Sequence, residues 1–76
     1  MQPYKKLSGQ SAVVAYEYGT DYITVRFQSG DYTTYTYRYG KAGISNVEQM
    51  KQLADAGRGL NTFINQNVRK LYSERF

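Results

Sequence analysis

The hydrophobic period changes once along the chain, near residue 40, and this limits the fold more than any other feature. From Ala12 to Tyr39 apolar and polar residues alternate, as strands with one buried face require. From about Ser45 to Tyr72 apolar residues return at helical spacing. A ribbon of strands followed by helices, with one apolar face on each, has one economical solution. The helices must cover the apolar side of the sheet. The expected fold class is therefore α+β: a three-stranded antiparallel sheet packed on two C-terminal helices, a β-β-β-α-α two-layer sandwich.

The expected strands are Ala12–Tyr18 (AVVAYEY), Tyr22–Gln28 (YITVRFQ) and Tyr32–Tyr39 (YTTYTYRY), joined by the turn sequences YGTD and QSGD. Because side chains alternate, a slip of one residue exchanges the two faces. A two-residue turn at Gly19-Thr20 pairs Tyr16 with Ile23 and Val14 with Val25. A three-residue loop Ser29-Gly30-Asp31 pairs Val25 with Tyr35 and Ile23 with Tyr37. Together these gather Val14, Tyr16, Ile23, Val25, Phe27, Tyr35 and Tyr37 on one face. The tyrosines of that set then form core wall, with hydroxyls at the rim. Tyr22, Thr24, Arg26, Thr34, Thr36 and Arg38 occupy the other face.

In the second half Gly40–Gly43 reads as a loop. Ser45 and Glu48 fit a capping box that starts a helix running to about Ala56, with Val47, Met50, Leu53 and Ala54 on its stripe. Glu48, Lys51 and Asp55 sit opposite, spaced for ion pairing along the helix. Gly57 fits a glycine C-cap. A second, longer helix starts near Leu60, with Leu60, Phe63, Ile64, Val68 and Leu71 on its stripe. Asn67 projects into that stripe, which suits a buried amide bonded to backbone. Residues 1–10 are expected as a flexible tail, 11–73 as one domain and 74–76 as a second tail.

The composition removes whole classes of chemistry. A 76-residue chain makes one domain, which buries only about 60% of its unfolded surface. It has no cysteine and no histidine, so disulfides, thiolate and imidazole metal ligands and the usual neutral-pH proton shuttle are missing from it. The serines fall in tails, turns and a cap, and the carboxylates have turn, cap and pairing explanations. No catalytic set assembles, so the expectation is a non-enzymatic protein with no cofactor and no metal. No apolar run approaches the roughly 20 residues of a membrane helix, and MQPYKKLSGQ lacks a secretory h-region. A cytoplasmic protein without a membrane partner is expected.

Ten Lys and Arg against six Asp and Glu give a net charge of +4, which favours polyanionic partners. The candidate phosphate-binding and base-reading residues are Arg26, Arg38, Arg58, Asn65, Arg69, Lys70 and Tyr72. Tyr22 and Tyr32 are candidate stacking platforms. Asn65, Arg69 and Tyr72 fall at i, i+4 and i+7, on one flank of the expected helix. Gly57-Arg58-Gly59 precedes a helix start, where exposed amides can hold a phosphate. It fits a tight turn between helices better.

The run FINQNVRKLY, Phe63 to Tyr72, resembles the KTSC domain, named for its place at the C-terminus of some lysyl-tRNA synthetases and also found as a small standalone protein. That family's helix reads aromatic-aromatic-Asn-x-x-Ile-Arg-x-x-Tyr. Phe63, Ile64, Asn65, Val68, Arg69 and Tyr72 occupy those places here. The family's strand–turn–strand closing on Phe-x-x-Gly is met by Phe27 and Gly30. Its Tyr-x-Tyr is met by Tyr35 and Tyr37, or by Tyr37 and Tyr39. The likeness spans about residues 8–72. GKAGISN replaces the family's Gly-Val-Pro, and Asn61, a residue that can also take a left-handed turn, stands where a glycine is expected. The synthetase context of the family implies contact with tRNA or another nucleic acid.

These lines lead to a small module that binds RNA or single-stranded nucleic acid through basic and tyrosine side chains. The alternative is a protein-interaction module using the sheet edge or a tyrosine-rich outer face.

Overall fold

The alternating tracts form strands, the stripe-bearing tracts form helices, and the two layers stack. The computed structural model describes residues 1–7 and 11–76. Among the described residues the order is β1 (Gln2–Pro3), β2 (Val13–Tyr18), β3 (Tyr22–Phe27), β4 (Thr34–Arg38), α1 (Tyr39–Ala42), α2 (Ile44–Ala56), α3 (Leu60–Phe63), a π-helical turn (Ile64–Val68) and β5 (Glu74–Arg75). The sheet is antiparallel with spatial order β1-β2-β3-β4-β5.

Five strands replace the expected three, because both tails pair. Gln2 and Pro3 lie opposite Tyr16 and Ala15 on β2. Pro3 donates no amide hydrogen, and an edge strand tolerates that. Beyond it Tyr4 is buried, 5% exposed, and its hydroxyl accepts the Leu60 N–H at 3.2 Å. At the other edge Glu74 and Arg75 pair with Thr36 and Tyr35. The first tail, read as flexible from its lack of period, and the second tail thus each supply a sheet edge, since a two-residue strand is too short to show a period. The remainder of the expected first tail, residues 8–10 with Ser8, lies outside the described residues.

The β3–β4 register is the one parity demanded: Val25 faces Tyr35 and Ile23 faces Tyr37. The β2–β3 register differs. Tyr16 faces Val25 and Tyr18 faces Ile23, so the turn is Thr20-Asp21 and not Gly19-Thr20. Gly19 pairs across the turn, donating its N–H to the Tyr22 carbonyl at 3.2 Å. The Tyr22 ring comes within 2.5 Å of where a Gly19 Cβ would sit, so any larger residue there has to push the ring aside. A two-residue shift keeps parity, so Tyr16 still faces inward. A bulge between Val13 and Ala15 then reverses the faces at the start of β2. Val13 is fully buried in consequence, and Val14, the residue expected in the core, is only half-buried.

Ile23, Val25, Tyr37, Tyr16 and Val13 supply the sheet side of the core. Val47, Met50 and Ala54 of α2 cover them, joined by Leu60, Ile64 and Val68. Gly57 closes α2 in the left-handed conformation (φ 76°), as expected of a glycine C-cap.

The helical half departs from expectation in three places. The GKAG segment is not a loop, since Tyr39–Ala42 already turns as α1. Helix α2 follows at Ile44, with Gly43 at the cap position and no side-chain cap bond, so Ser45 lies inside the helix and the capping box does not form. Glu48 instead accepts from the Tyr39 hydroxyl at 2.5 Å. The last helical stretch is also shorter than α2, ending at Val68 rather than running past Leu71. Its π-turn widens the helix by one residue per turn, which rotates Asn67 out to solvent while keeping Val68 buried. The Asn67 amide does bond to backbone, donating to Phe63 O at 3.2 Å, but from an exposed position. Asn61 is helical, and the left-handed positions of this turn are Gly57 and Gly59.

Candidate functional site

Between the π-turn and the far ends of β3 and β4 lies a cleft of about 670 Å³. Its apolar wall follows from strand ends running beyond the helical cover. Phe27 closes β3, with its N–H donating to Thr33 O at 2.6 Å, and its ring meets Tyr35 edge-on at 5.4 Å. Tyr35 in turn meets Tyr72 edge-on at 5.2 Å. Past the π-turn, Leu71 donates its N–H to Val68 O and the chain leaves helical geometry, which brings Tyr72 down onto the strand end.

The polar wall is mostly basic. Asn65, Arg69 and Lys70 line it from the helical side, and Arg75 lines it from β5. Arg75 carries its guanidinium 4.0 Å from the Tyr32 ring centroid and 5.0 Å from that of Tyr72, a cation shared by two phenol faces. Asp31 is the acidic residue of the lining.

Of the residues singled out by sequence, Asn65, Arg69, Lys70, Tyr72 and Tyr32 converge on this cleft. Tyr72 arrives there without being helical. Tyr22, Arg26 and Arg38 do not join them, because their parity puts them on the opposite side of the sheet. Arg38 is also engaged: its guanidinium donates to Glu74 at 2.7 and 3.2 Å and stands 5.5 Å from the Tyr22 ring. Arg58 sits exposed in the turn between α2 and α3. Three of the amides there are already used. Gly57 and Arg58 donate to carbonyls at the end of α2, and Leu60 donates to Tyr4. The geometry is that of a tight interhelical turn.

Arg75 is not among the site residues expected from sequence, where it is one more charge in a tail. The available signal was its nearness to Tyr72, but only the pairing of β5 with β4 turns that nearness into contact. Phe27 and Tyr35, read as core, stand at its margin and face the cleft.

A second polar cluster ties α2 to the β2–β3 hairpin. Tyr16 and Tyr18 donate to the two oxygens of Asp55 at 2.8 and 2.6 Å. Lys51 bonds Glu48 at 2.7 Å and the Thr20 carbonyl at 2.9 Å, between the rings of Tyr18 and Tyr39. Asp55, expected to pair along its own helix, is thus held by phenols of the sheet. Burial and then the Asp55 hydrogen bond push the Tyr16 phenol up to about 12. The bond to Asp55 raises Tyr18, and the bond to Glu48 raises Tyr39. Lys51 and Tyr39 hold the Glu48 carboxyl below its ordinary range. Every shift strengthens the charge state already present at neutral pH, so the cluster acts as a clip rather than a proton-transfer device.

Among the described residues no group of three or more Asp or Glu side chains stands together to hold a metal ion, and no helix is long and apolar enough to cross a membrane. No family model, no curated protein and no solved structure matches the chain.

Proposed function

We propose that the chain is a small non-enzymatic module that binds single-stranded nucleic acid, RNA first, in the cleft between the π-turn and the β3–β4 ends. The observation that carries this reading is the convergence of Arg69, Lys70 and Arg75 on one aromatic-walled cleft. Three cations in a concave site neutralise two or three consecutive phosphates. The exposed ring of Tyr32 offers a stacking surface to unpaired bases, and the Asn65 amide can hydrogen-bond a base edge. Several residues on which the KTSC resemblance rests line the same cleft: Phe27 and Gly30, Tyr37, and Asn65, Arg69 and Tyr72. A cytoplasmic setting goes with this reading. The rival docking surface on the outer face has less behind it. That face presents Tyr22 among threonines and arginines and is not rich in tyrosine.

The test is a titration with mixed-sequence RNA and single-stranded DNA at several salt concentrations. Three phosphate contacts give a slope of about −2 in log K against log salt for single strands. The double variant R69A/K70A should reduce that slope by about 1.4, while R26A, on the opposite face, should leave it within error. No affinity at low salt, or an equal loss from R26A, would sink the proposal.

A further inference from the structure

The outer side of β4 is occupied by a segment held almost entirely through its backbone and exposed polar groups. Ser73 donates its N–H to Thr36 O at 2.7 Å, and Phe76 donates to Thr34 O at 2.9 Å. The N–H groups of Thr34 and Thr33 donate back to Phe76 O at 2.8 and 3.2 Å. Side chains are read on alternate faces, as along any strand. Glu74 turns to the open face and meets Arg38, and Arg75 turns to the cleft and meets Tyr32 and Tyr72. No apolar side chain anchors the segment, since Ser73 to Arg75 are exposed and Phe76 is 71% exposed. An exposed ion pair adds little, and such segments open before the core does.

Opening leaves a defined acceptor: the unpaired backbone of Thr34 and Thr36, a cation on one face at Arg38, and two phenol rings on the other. We propose that this edge of β4 is a strand-acceptor groove for an extended, arginine-bearing segment of another protein, with an acidic residue immediately before the arginine. Ser73–Phe76 is its resident occupant in the closed form. The incoming strand supplies main-chain bonds to Thr34 and Thr36, its carboxylate replaces that of Glu74, and its guanidinium replaces that of Arg75 between the tyrosines. A longer segment also continues the ladder beyond the Thr33–Thr36 stretch that Ser73–Phe76 already bonds. The resident strand competes at the high effective concentration of a tethered ligand, so the groove favours partners that add contacts of this kind.

The full chain, labelled with ¹⁵N, is titrated with acetyl-YSERF-amide while the Thr34 and Thr36 amides are followed. Weakening the resident strand with E74A/R75A should tighten peptide binding at least tenfold over the parent chain. Replacing the peptide's arginine (acetyl-YSEAF-amide) should weaken binding at least fivefold. Unchanged Val47 and Met50 amides check that the variant is folded. If it is not, the charge swap serves alone: R38E should prefer acetyl-YSKRF-amide over acetyl-YSERF-amide, reversing the parent's order. Affinity indifferent to the peptide's arginine and to the charge at position 38, shifts confined to other residues, or self-association in place of peptide binding would each overturn the proposal.

Discussion

Thr24 and Thr36 face each other across β3 and β4 with their hydroxyls hydrogen-bonded at 2.8 Å. They lie on the side of the sheet without helices, yet they are only 7% and 6% exposed. Each hydroxyl thus has a partner and little access to water. Thr24→Val keeps shape and β-branching but strands the Thr36 hydroxyl, at a cost of about 1–2 kcal/mol, and Thr36→Val does the same in reverse. The double variant removes both polar groups and leaves two valines packed on a pleated surface, so its stability should lie within about 0.5 kcal/mol of the parent. For a domain of this size each kcal/mol moves Tm by roughly 4–8 °C, so the singles melt about 4–16 °C lower while the double melts near the parent. Urea unfolding of all four proteins, followed by far-ultraviolet circular dichroism, yields the coupling energy directly. If the two single losses simply add in the double variant, the buried-partner account of this face is wrong.

Other perturbations test the packing and the phenol cluster. Gly57→Ala places a Cβ at a left-handed φ of 76° and 2.6 Å from the Lys5 Cβ, so a loss of about 1–3 kcal/mol is expected, with faster amide exchange at Leu7, whose N–H donates to Gly57 O. Val13→Ala should cost roughly 2 kcal/mol and Val14→Ala less than about 1, and thermal melts giving the opposite order would contradict the bulge. Stability should be flat from neutrality to about pH 10 and then fall as the pH climbs to about 12, measured by urea unfolding at each pH. A phenol whose folded value exceeds its unfolded one stabilises the fold fully below the unfolded value and loses that contribution through the folded one. Asp55→Asn should bring the Tyr16 titration down, read from tyrosinate absorbance.

Period and parity alone were enough for the layers, the inward faces of β3 and β4, the pairing of Val25 with Tyr35, and the glycine that ends α2. Those features follow from how a residue relates to its near neighbours, which is information a sequence carries openly. The grouping of Asn65, Arg69 and Lys70 was legible for the same reason, since they are close in the chain. Tertiary structure decided the rest. The pairing of Gln2–Pro3 and Glu74–Arg75 answers the unpaired backbone of β2 and β4, a demand set by distant strands. The β2 bulge substitutes Val13 for Val14, and the π-turn swings Asn67 out. Neither has a local period to announce it, because each adds one residue to a repeat to suit the surface it packs on. Arg75 became a neighbour of Tyr32 and Tyr72 by the same route, through a strand formed only once the sheet edge existed to receive it.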